Sequence, residues 1–447
     1  MSVVTIQVGQ CGNQLGADLF NALHEHTVLA SIPSQPAGHV AKDRTNREVA
    51  AAAACRRAFF RGNQVSRAVV IDTEPTAIQR VVQSKWYGTS HKPSSDPEQP
   101  REFVAGKSKG SMKGDRCVRE VAWSYDRKTQ VCCHAHGGAA NNWAFGYHGH
   151  GARFTGACLD AIRREVEACD QLAGLCILHS AAGGTGSGLG TYLTEALRDE
   201  FPSTFLFNTV VCAHGSGEVI LQHYNTLFTL SRLARCSDGV LVVENEAASA
   251  VCRKLLRLER PSHTDLNRVI CGALVGSLTP TTSAPARTAS SASGGSWGGI
   301  REVPRSGSLH LGDKLGHLCA NKDFVFLRAS MVPQMPDKSK AFTSNTWQAL
   351  VKRAHQVHIT GALADINIEW HKKAVSGGGA AVGLNQSVAS LLTFHGGSTH
   401  DAAYAVGDSF RSRKLYPSWS SRPYLECYSP LRLQGHDRAL TLLSNSQ

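Results

Sequence analysis

Short apolar runs alternate with helical periodicity along the first half of the chain. Each run ends at a turn of glycine or polar residues, and apolar residues then recur every three or four positions. The runs lie at Val3–Val8, Ala68–Ile71, Leu175–Leu178, Phe207–Cys212 and Val240–Val243. Runs of this kind predict buried strands, and the periodic stretches predict helices. The order predicts an α/β fold with a doubly wound, largely parallel sheet, whose ligands sit at the carboxyl ends of its strands.

Three polar stretches interrupt this alternation and predict surface loops or insertions. They are Ser31–Asn46, Thr89–Arg116 and Thr281–Ser308. The third stretch separates the α/β half from residues 309–447, which carry further strand-like and helical patterns. Those patterns lie at Phe324–Leu327, Trp347–His355 and Ala439–Leu443. They predict a second, smaller α+β region.

The composition excludes several classes of protein. An apolar fraction of 42% among 447 residues is too high for a wholly disordered chain. No apolar run approaches the length of about 18 residues that a membrane span needs, so no membrane partner is expected. The 14 cysteines include no C-x-x-C pair and suggest the reduced thiols of the cytoplasm. The net charge of +12 permits acidic partners, but without a clustered basic stripe it predicts no specific nucleic acid.

The strongest local signal is a glycine-rich turn between a predicted strand and a predicted helix. Gly183, Gly184, Thr185 and Gly186 lie in the run Ala182–Gly188, which contains no lysine and is therefore not a Walker A motif. Consecutive glycines let backbone N–H groups approach an anion, and the helix N-terminus favours negative charge. Thr185 and Ser187 add hydroxyl donors. We expect phosphate binding here, against the alternative of a flexible turn.

Other strand ends carry groups that suit the same ligand. Asp72 and Glu74 follow the second strand, where a metal ion bridging phosphates would need oxygen ligands. The alternative for Glu74 is an ordinary acidic helix start. Two further turns, Gly9–Gln14 and Ala139–Asn142, offer amide donors. Several such turns together predict a convergent site.

These turns together resemble the tubulin family. The matching segments, in the family's order, are Gly9–Gln14, Asp72–Pro75, Ala140–Trp143, Gly183–Gly188, Val243–Ala247, Glu259–Pro261, Leu266–Arg268 and Leu443–Asn445. The resemblance implies GTP or GDP with Mg²⁺ as cofactors. It also implies a GTP-binding domain over residues 1–262 with a flexible insertion near 89–116, a central helix over 263–280, a low-complexity loop over 281–308, and an intermediate domain over 309–447.

The resemblance also assigns roles to single residues. Gln10 and Cys11 would sit beside the nucleotide, and Glu74 would hold magnesium directly or through water. The residues implied to bind phosphates are Ala140, Asn141, Ser180 and the loop that contains Gly183, Gly184, Thr185 and Gly186. Asn245 and Asn267 would hydrogen-bond the guanine edge, and His263 would stack on the ring, where tubulins more often carry Tyr or Phe. Amides suit guanine because its edge mixes donors and acceptors.

The resemblance further implies that hydrolysis is completed by an acid that one subunit presents to its neighbour's nucleotide. In the matching turn Leu311–Leu315 the candidate is Asp313, one methylene shorter than the expected glutamate. A slow, contact-dependent GTPase is therefore expected. The alternative is a solvated aspartate that opens a helix.

A finer resemblance concerns the tubulins of centrioles and basal bodies. It rests on Asn142–Tyr147, Gly215–Val219 and Leu443–Gln447. It implies other tubulin subunits or microtubule-based centriolar structures as partners, and a cytoplasmic, cytoskeletal location at the centriole or basal body. The family's last helices and acidic tail would follow Gln447, so we expect the intermediate domain to be C-terminally incomplete. The alternatives are another tubulin subunit, or a soluble nucleotide-dependent enzyme on a Rossmann-like sheet.

Overall fold

The computed structural model describes most of the chain in eleven segments. They are residues 1–28, 38–83, 123–132, 138–215, 220–283, 307–340, 342–343, 345–362, 385–397, 402 and 409–446. The strands are β1 (Ser2–Val8), β2 (Ala68–Asp72), β3 (Gln130–Cys132), β4 (Leu172–Ser180), β5 (Leu206–Cys212), β6 (Gly239–Glu244), β7 (Thr281–Ser283), β8 (Ser308–Leu309), β9 (Phe326–Val332), β10 (Ser387–His395), β11 (Tyr424–Ser429) and β12 (Ala439–Ser446).

The helices begin and end as follows. They are α1 (Gly9–Val28), α2 (Gly38–Phe59), α3 (Pro75–Gln83), α4 (Ala152–Glu167), α5 (Gly190–Glu200), α6 (Gln222–Cys236), α7 (Asn245–Ala250), α8 (His263–Leu278), α9 (Leu311–Leu318), α10 (Asp337–Lys340) and α11 (Trp347–Thr360). Wider π-helical turns lie at Phe145–Gly151, Thr185–Leu189 and Val251–Leu255.

The first half forms the predicted parallel sheet. Its strand order is β3-β2-β1-β4-β5-β6, and every neighbouring pair is parallel. Helices cover both faces, because α1 and α8 share one core cluster with the sheet and α4 and α5 share another. Burial on both faces explains why the strands are short continuous apolar runs. The doubly wound, largely parallel α/β fold is confirmed.

The second half continues the same sheet with mixed strands. β9 pairs in parallel with β6 through Val240–Phe326 and Leu241–Leu327, and the order then runs β12-β10-β11-β7-β8. β12 is antiparallel to both β9 and β10. β9 begins at Phe326, two residues later than the apolar run predicts, and the Asn445 amide donates to the Phe324 carbonyl at 2.6 Å. The α+β character of this half agrees with the prediction from sequence. The hydrophobic pattern does not predict that its strands continue the first sheet.

Two of the predicted loops contain regular structure. Gly38–Asn46, placed in a loop by its polar composition, begins helix α2. Thr281–Ser283 and Ser308–Leu309, placed at the ends of a low-complexity loop, are the strands β7 and β8, which pair with each other. Backbone pairing stabilises short polar segments that composition alone assigns to loops. The expected insertion near 89–116 lies outside the described residues.

Helix α8 crosses the middle of the molecule and is fixed at both ends. At its start, the Ser262 hydroxyl accepts from Asp265 N, and the Asp265 carboxylate accepts from Ser262 N at 2.8 Å, which forms a capping box. At its end, the buried Lys314 ammonium donates to the carbonyls of Ser277 and Thr279 at 2.8 and 2.7 Å. Burial lowers the pKa of Lys314 to about 8. The helix begins at His263, where the resemblance places the start of a central helix, and ends at Leu278.

No helix within the described ranges is both long enough and apolar enough to cross a bilayer.

The capping box at the start of α8 predicts a measurable stability loss. Ser262→Ala removes the side-chain acceptor for the Asp265 amide and should lower the free energy of unfolding by about 1 kcal/mol. Urea denaturation, with Ser203→Ala in the exposed turn before β5 as control, measures the difference. Equal stabilities of the two variants would contradict a capping contribution.

Candidate nucleotide-binding site

The glycine-rich loop lies at the carboxyl end of β4, packed against the turn that follows β1. Gly9 has φ +74°, and a Cβ built there would lie 2.9 Å from the backbone nitrogen of Gly186. The two turns therefore touch backbone to backbone, which any side chain at Gly9 would prevent. A Cβ at Gly183, in contrast, would meet no heavy atom within 4 Å. The loop is thus closed toward β1 and open at Gly183, which suits an anion held by backbone N–H groups.

The hydroxyl groups of this loop are already engaged by the protein. Ser187 is fully buried and donates to the carbonyls of Gly183 and Gly184, so it does not add the ligand donor expected from sequence. The Ser180 hydroxyl donates to Val211 O at 3.4 Å and accepts from Ala182 N at 3.1 Å. Thr185 Oγ1 lies 3.1 Å from Thr73 Oγ1. These bonds shape the loop and leave its backbone N–H groups as the candidate phosphate donors.

The acidic turn after β2 is anchored by Asp72. Its carboxylate accepts from the Asn13 amide at 3.0 Å and from the backbone N–H groups of Thr73 at 2.8 Å and Glu74 at 3.3 Å. Burial raises the pKa of Asp72 above its usual value, although these hydrogen bonds oppose the shift. Glu74 is exposed, and its Oε1 lies 3.1 Å from the position of a Cβ built on Gly138. Asp72 therefore holds the turn, and Glu74 is the carboxylate free to meet a cation.

The turn before the π-helical segment at Phe145 has a special backbone. Ala140 and Asn141 both have positive φ values, 45° and 55°, and Asn142 N donates to Ala139 O at 2.8 Å. Asn225 on α6 fixes this turn, because its amide donates to Asn141 O and to Ala182 O at 2.8 Å each. Asn225 thereby ties the Ala140–Asn141 turn to the glycine-rich loop.

A cavity of about 260 Å³ lies between α1, α3 and α8, beside these turns. Its lining residues are Gln10, Gln14, Ala17, Asp18, Ala77, Arg80, Val81, His263, Thr264 and Asn267. The resemblance places Gln10 beside the nucleotide, and His263 and Asn267 at its base. Cys11 packs against the core, and burial raises the pKa of its thiol to about 11. Asn245 opens α7 at the carboxyl end of β6 and is half-buried, but it is not among the lining residues.

Sequence reasoning missed two polar residues of this region. Asn225 carries no motif signal, since its role depends on where α6 lies. Asp18 had a usable signal, because Gln10, Gln14 and Asp18 recur every four residues and so share one face of α1. The Asn267 amide donates to Asp18 Oδ2 at 2.8 Å. Burial raises the pKa of Asp18 to about 6, and the hydrogen bond from Asn267 partly offsets this.

The proposed catalytic Asp313 lies at the other end of the sheet. Its carboxylate accepts from His310 N at 3.0 Å and caps helix α9. The neighbouring Leu311 side chain lies 3.1 Å from the position of a Cβ built on Gly174, near the amino end of β4. Ser180, at the carboxyl end of β4, is roughly 20 Å away along the strand. Asp313 therefore cannot reach a nucleotide bound by its own chain.

The fold and these turns agree with the comparisons to known proteins. Residues 2–253 match the Tubulin/FtsZ family, GTPase domain. This match covers more than half of the chain, and the chain belongs to the tubulin family. A GTPase domain of this family implies GTP and GDP binding, and the family is cytoskeletal.

The chain is similar to individual members of the tubulin family to different extents. The chain is 32% identical to the tubulin delta chains of Macaca fascicularis and Mus musculus, over its whole length and 88% of each relative. It is 30% identical to the tubulin beta-1 chain of Chondrus crispus over 62% of this chain and 52% of that protein. The similarity to delta chains thus extends through both halves of the fold.

Proposed function

We propose that this chain is a GTP-binding tubulin subunit of the delta type, which acts in the assembly of centrioles, basal bodies and triplet microtubules. One observation carries the nucleotide assignment. The open glycine-rich loop and a cavity with amide, imidazole and carboxylate groups adjoin at the carboxyl edge of one parallel sheet. Similarity to delta chains along the whole chain supports the subunit type. Its partners would be other tubulin subunits or centriolar microtubule structures.

The phosphates would bind at the loop and the turn tied to it by Asn225. The loop of Gly183, Gly184, Thr185 and Gly186 would supply backbone N–H groups, with Ser180 behind it. Ala140 and Asn141 would close the opposite side, where their positive φ values turn the backbone. The helix that follows the loop adds favourable partial positive charge. Because the loop contains no lysine, much of the phosphate charge needs another partner.

That partner would be Mg²⁺ at Glu74. The carboxylate is exposed beside Gly138 and one residue from the Thr73 hydroxyl, which suits a hard cation that takes its other ligands from phosphates and water. Within the described residues no group of three His, Cys, Asp or Glu side chains could hold a metal ion alone. Mg²⁺ there would neutralise phosphate charge.

The base would occupy the cavity between α1, α3 and α8. His263 would stack on the ring from the start of α8, and Asn267 would meet the guanine edge. Asn245, at the adjoining end of β6, would approach the same edge, and Gln10 and Cys11 would flank the nucleotide. These groups bind and orient the nucleotide, but none of them is placed as a general base.

The acid that completes hydrolysis would come from a second subunit. Asp313 lies at the amino end of the sheet, opposite the nucleotide site, so stacked subunits would bring it to a neighbour's nucleotide. Its carboxylate would orient the attacking water. The reaction would therefore be slow in isolated chains.

The cavity predicts a preference for guanine. GTP and GDP should bind well ahead of ATP, and Asn267→Ala should weaken GTP by about 1–3 kcal/mol because a buried base edge loses a partner. Fluorescent-nucleotide competition measures both, with Gln171→Ala at the opposite end of β4 as control. Equal affinity for ATP and GTP would contradict the base assignment.

The lysine-free loop predicts dependence on magnesium. Chelation should weaken GTP more than GDP, because the triphosphate carries more charge to neutralise. Glu74→Gln should reproduce much of this loss of GTP affinity without changing the melting temperature. The control variant Glu167→Gln on α4 should leave the GTP affinity unchanged. GTP affinity that ignores both EDTA and Glu74→Gln would remove Mg²⁺ from the site.

The position of Asp313 predicts that turnover depends on contact between subunits. GTP hydrolysis per subunit should rise with concentration, and Asp313→Asn should reduce that rise while GTP binding stays unchanged. A dilution series for both proteins, with folding checked by circular dichroism, tests this. Rapid hydrolysis independent of concentration would contradict the two-subunit site. If hydrolysis rises with concentration equally in wild type and Asp313→Asn, the two-subunit site stands and Asp313 is excluded as its acid.

A further inference from the structure

A row of polar side chains on α1 faces α8 across the cavity. Gln10, Gln14 and Asp18 line one wall, and His263 and Asn267 line the other. Asn267 Nδ2 donates one hydrogen to Asp18 Oδ2 at 2.8 Å. The other carboxylate oxygen, Oδ1, accepts none of the hydrogen bonds found among the described residues. A carboxylate with unused acceptor capacity thus adjoins the amide that was expected to meet guanine.

The charges around Asp18 do not account for its position. Arg80 on α3 lines the same cavity, but it forms no ion pair with Asp18 in the described part of the chain. His263 faces it from α8. Behind it, Tyr125 donates to Gln7 at 3.0 Å, and Cys271 lies on the core side of α8. A partly buried carboxylate costs stability unless something satisfies it. Among the described residues, the Asn267 amide alone does so.

We propose that Asp18 recognises guanine directly, by accepting hydrogen bonds from the N1–H and 2-amino groups of the base. Asn267 has a second N–H, which would donate to the O6 carbonyl. The inference rests on the proposed GTP binding and identifies the residue that sets its specificity. Guanine places two donors side by side on this edge, and an ionised carboxylate accepts at both oxygens and donates at none.

The same chemistry explains rejection of adenine. Adenine carries an acceptor at N1 and no 2-amino group, so its N1 lone pair would face the carboxylate without a hydrogen between them. An amide in the same place could turn over and offer either base one hydrogen bond, because it has one donor group and one acceptor, but it could not accept from both guanine donors. The ionised carboxylate has no donor to offer adenine, so it disfavours binding of adenine as well as favouring binding of guanine.

Protonation of Asp18 should therefore be coupled to binding. Burial raises the pKa of Asp18 to about 6. Two donors from guanine would stabilise the charged form and lower that pKa, so the base would bind more tightly above about pH 6 than below it. Inosine triphosphate (ITP) lacks the 2-amino group and shares the same phosphates. The ratio of GTP to ITP affinity cancels the titration of the phosphates and the stacking on His263.

The test replaces one carboxylate acceptor of Asp18 by an amide donor in Asp18→Asn, and it uses a base that presents an acceptor at the matching position. Xanthosine triphosphate (XTP) has a carbonyl where guanine has the 2-amino group. Wild type should bind GTP about tenfold or more tighter than ITP, and XTP weakest of the three. Asp18→Asn should lose about tenfold or more for GTP and gain for XTP, so that the order reverses. Asp199→Asn, exposed on α5, is the matched control and should keep the wild-type order.

Other outcomes separate this inference from the proposed function. If Asp18 only orients Asn267, Asp18→Asn keeps an acceptor for that amide, and an unchanged order of the three nucleotides overturns the proposal. If the variant does not fold, the wild-type ratio of GTP to ITP affinity between pH 5 and 8 decides. A ratio that increases through about pH 6 supports Asp18, and a flat ratio near one overturns it. Wild type that binds none of the three nucleotides overturns the proposed function itself.

Discussion

The arrangement of the site depends on one contact that only glycine permits. The backbone at Gly9 lies so close to Gly186 that a Cβ would come within 2.9 Å of its nitrogen. A Cβ at Gly12 would likewise collide with the Leu178 carbonyl at the end of β4. Helix α1 can therefore start directly on the carboxyl ends of β1 and β4. Its direction then carries Gln10, Gln14 and Asp18 along the wall of the cavity.

The second constraint is the buried polar network behind the loops. Asn225 joins two turns that are far apart in sequence, and Asp72 gathers an amide and two backbone N–H groups into a third turn. The two Asp72 bonds are buried and the two Asn225 bonds are part-buried. Losing one partner of a buried bond leaves the other unsatisfied at a cost of about 1–3 kcal/mol. Such networks hold loops in one conformation without side chains that cover the ligand. The glycine-rich turn thus takes its shape from hydrogen bonds within the protein.

In the first half the sequence predicts β1, β2, β4, β5 and β6, because both faces of the sheet are covered and each of these strands is a continuous apolar run. It does not predict β3, β10 or β11. It also predicts the loops, since glycine and amide residues at strand ends have few structural uses. It fails where tertiary contacts decide. The Ser187 hydroxyl donates to a carbonyl of its own loop and not to a ligand. Asn225 reaches the loop because of where helix α6 lies. β6 pairs with β9, which is far from it in sequence. Polar segments at Gly38–Asn46 and Thr281–Ser283 become regular only through partners that composition does not show.

The polarity of the parallel sheet connects binding with assembly. Parallel strands put every βα turn at one edge, so the candidate nucleotide site lies at that edge. Helix α9 packs near the amino end of β4, and Asp313 is fixed there by its own capping bonds. A single chain then has the binding groups at one end and the candidate acid at the other. Under the proposed function, such a chain completes its chemistry only in a head-to-tail stack, where each interface is heterologous and the repeat has a direction. The strand polarity that brings the candidate phosphate-binding turns together would therefore also make GTP hydrolysis depend on contact between two subunits.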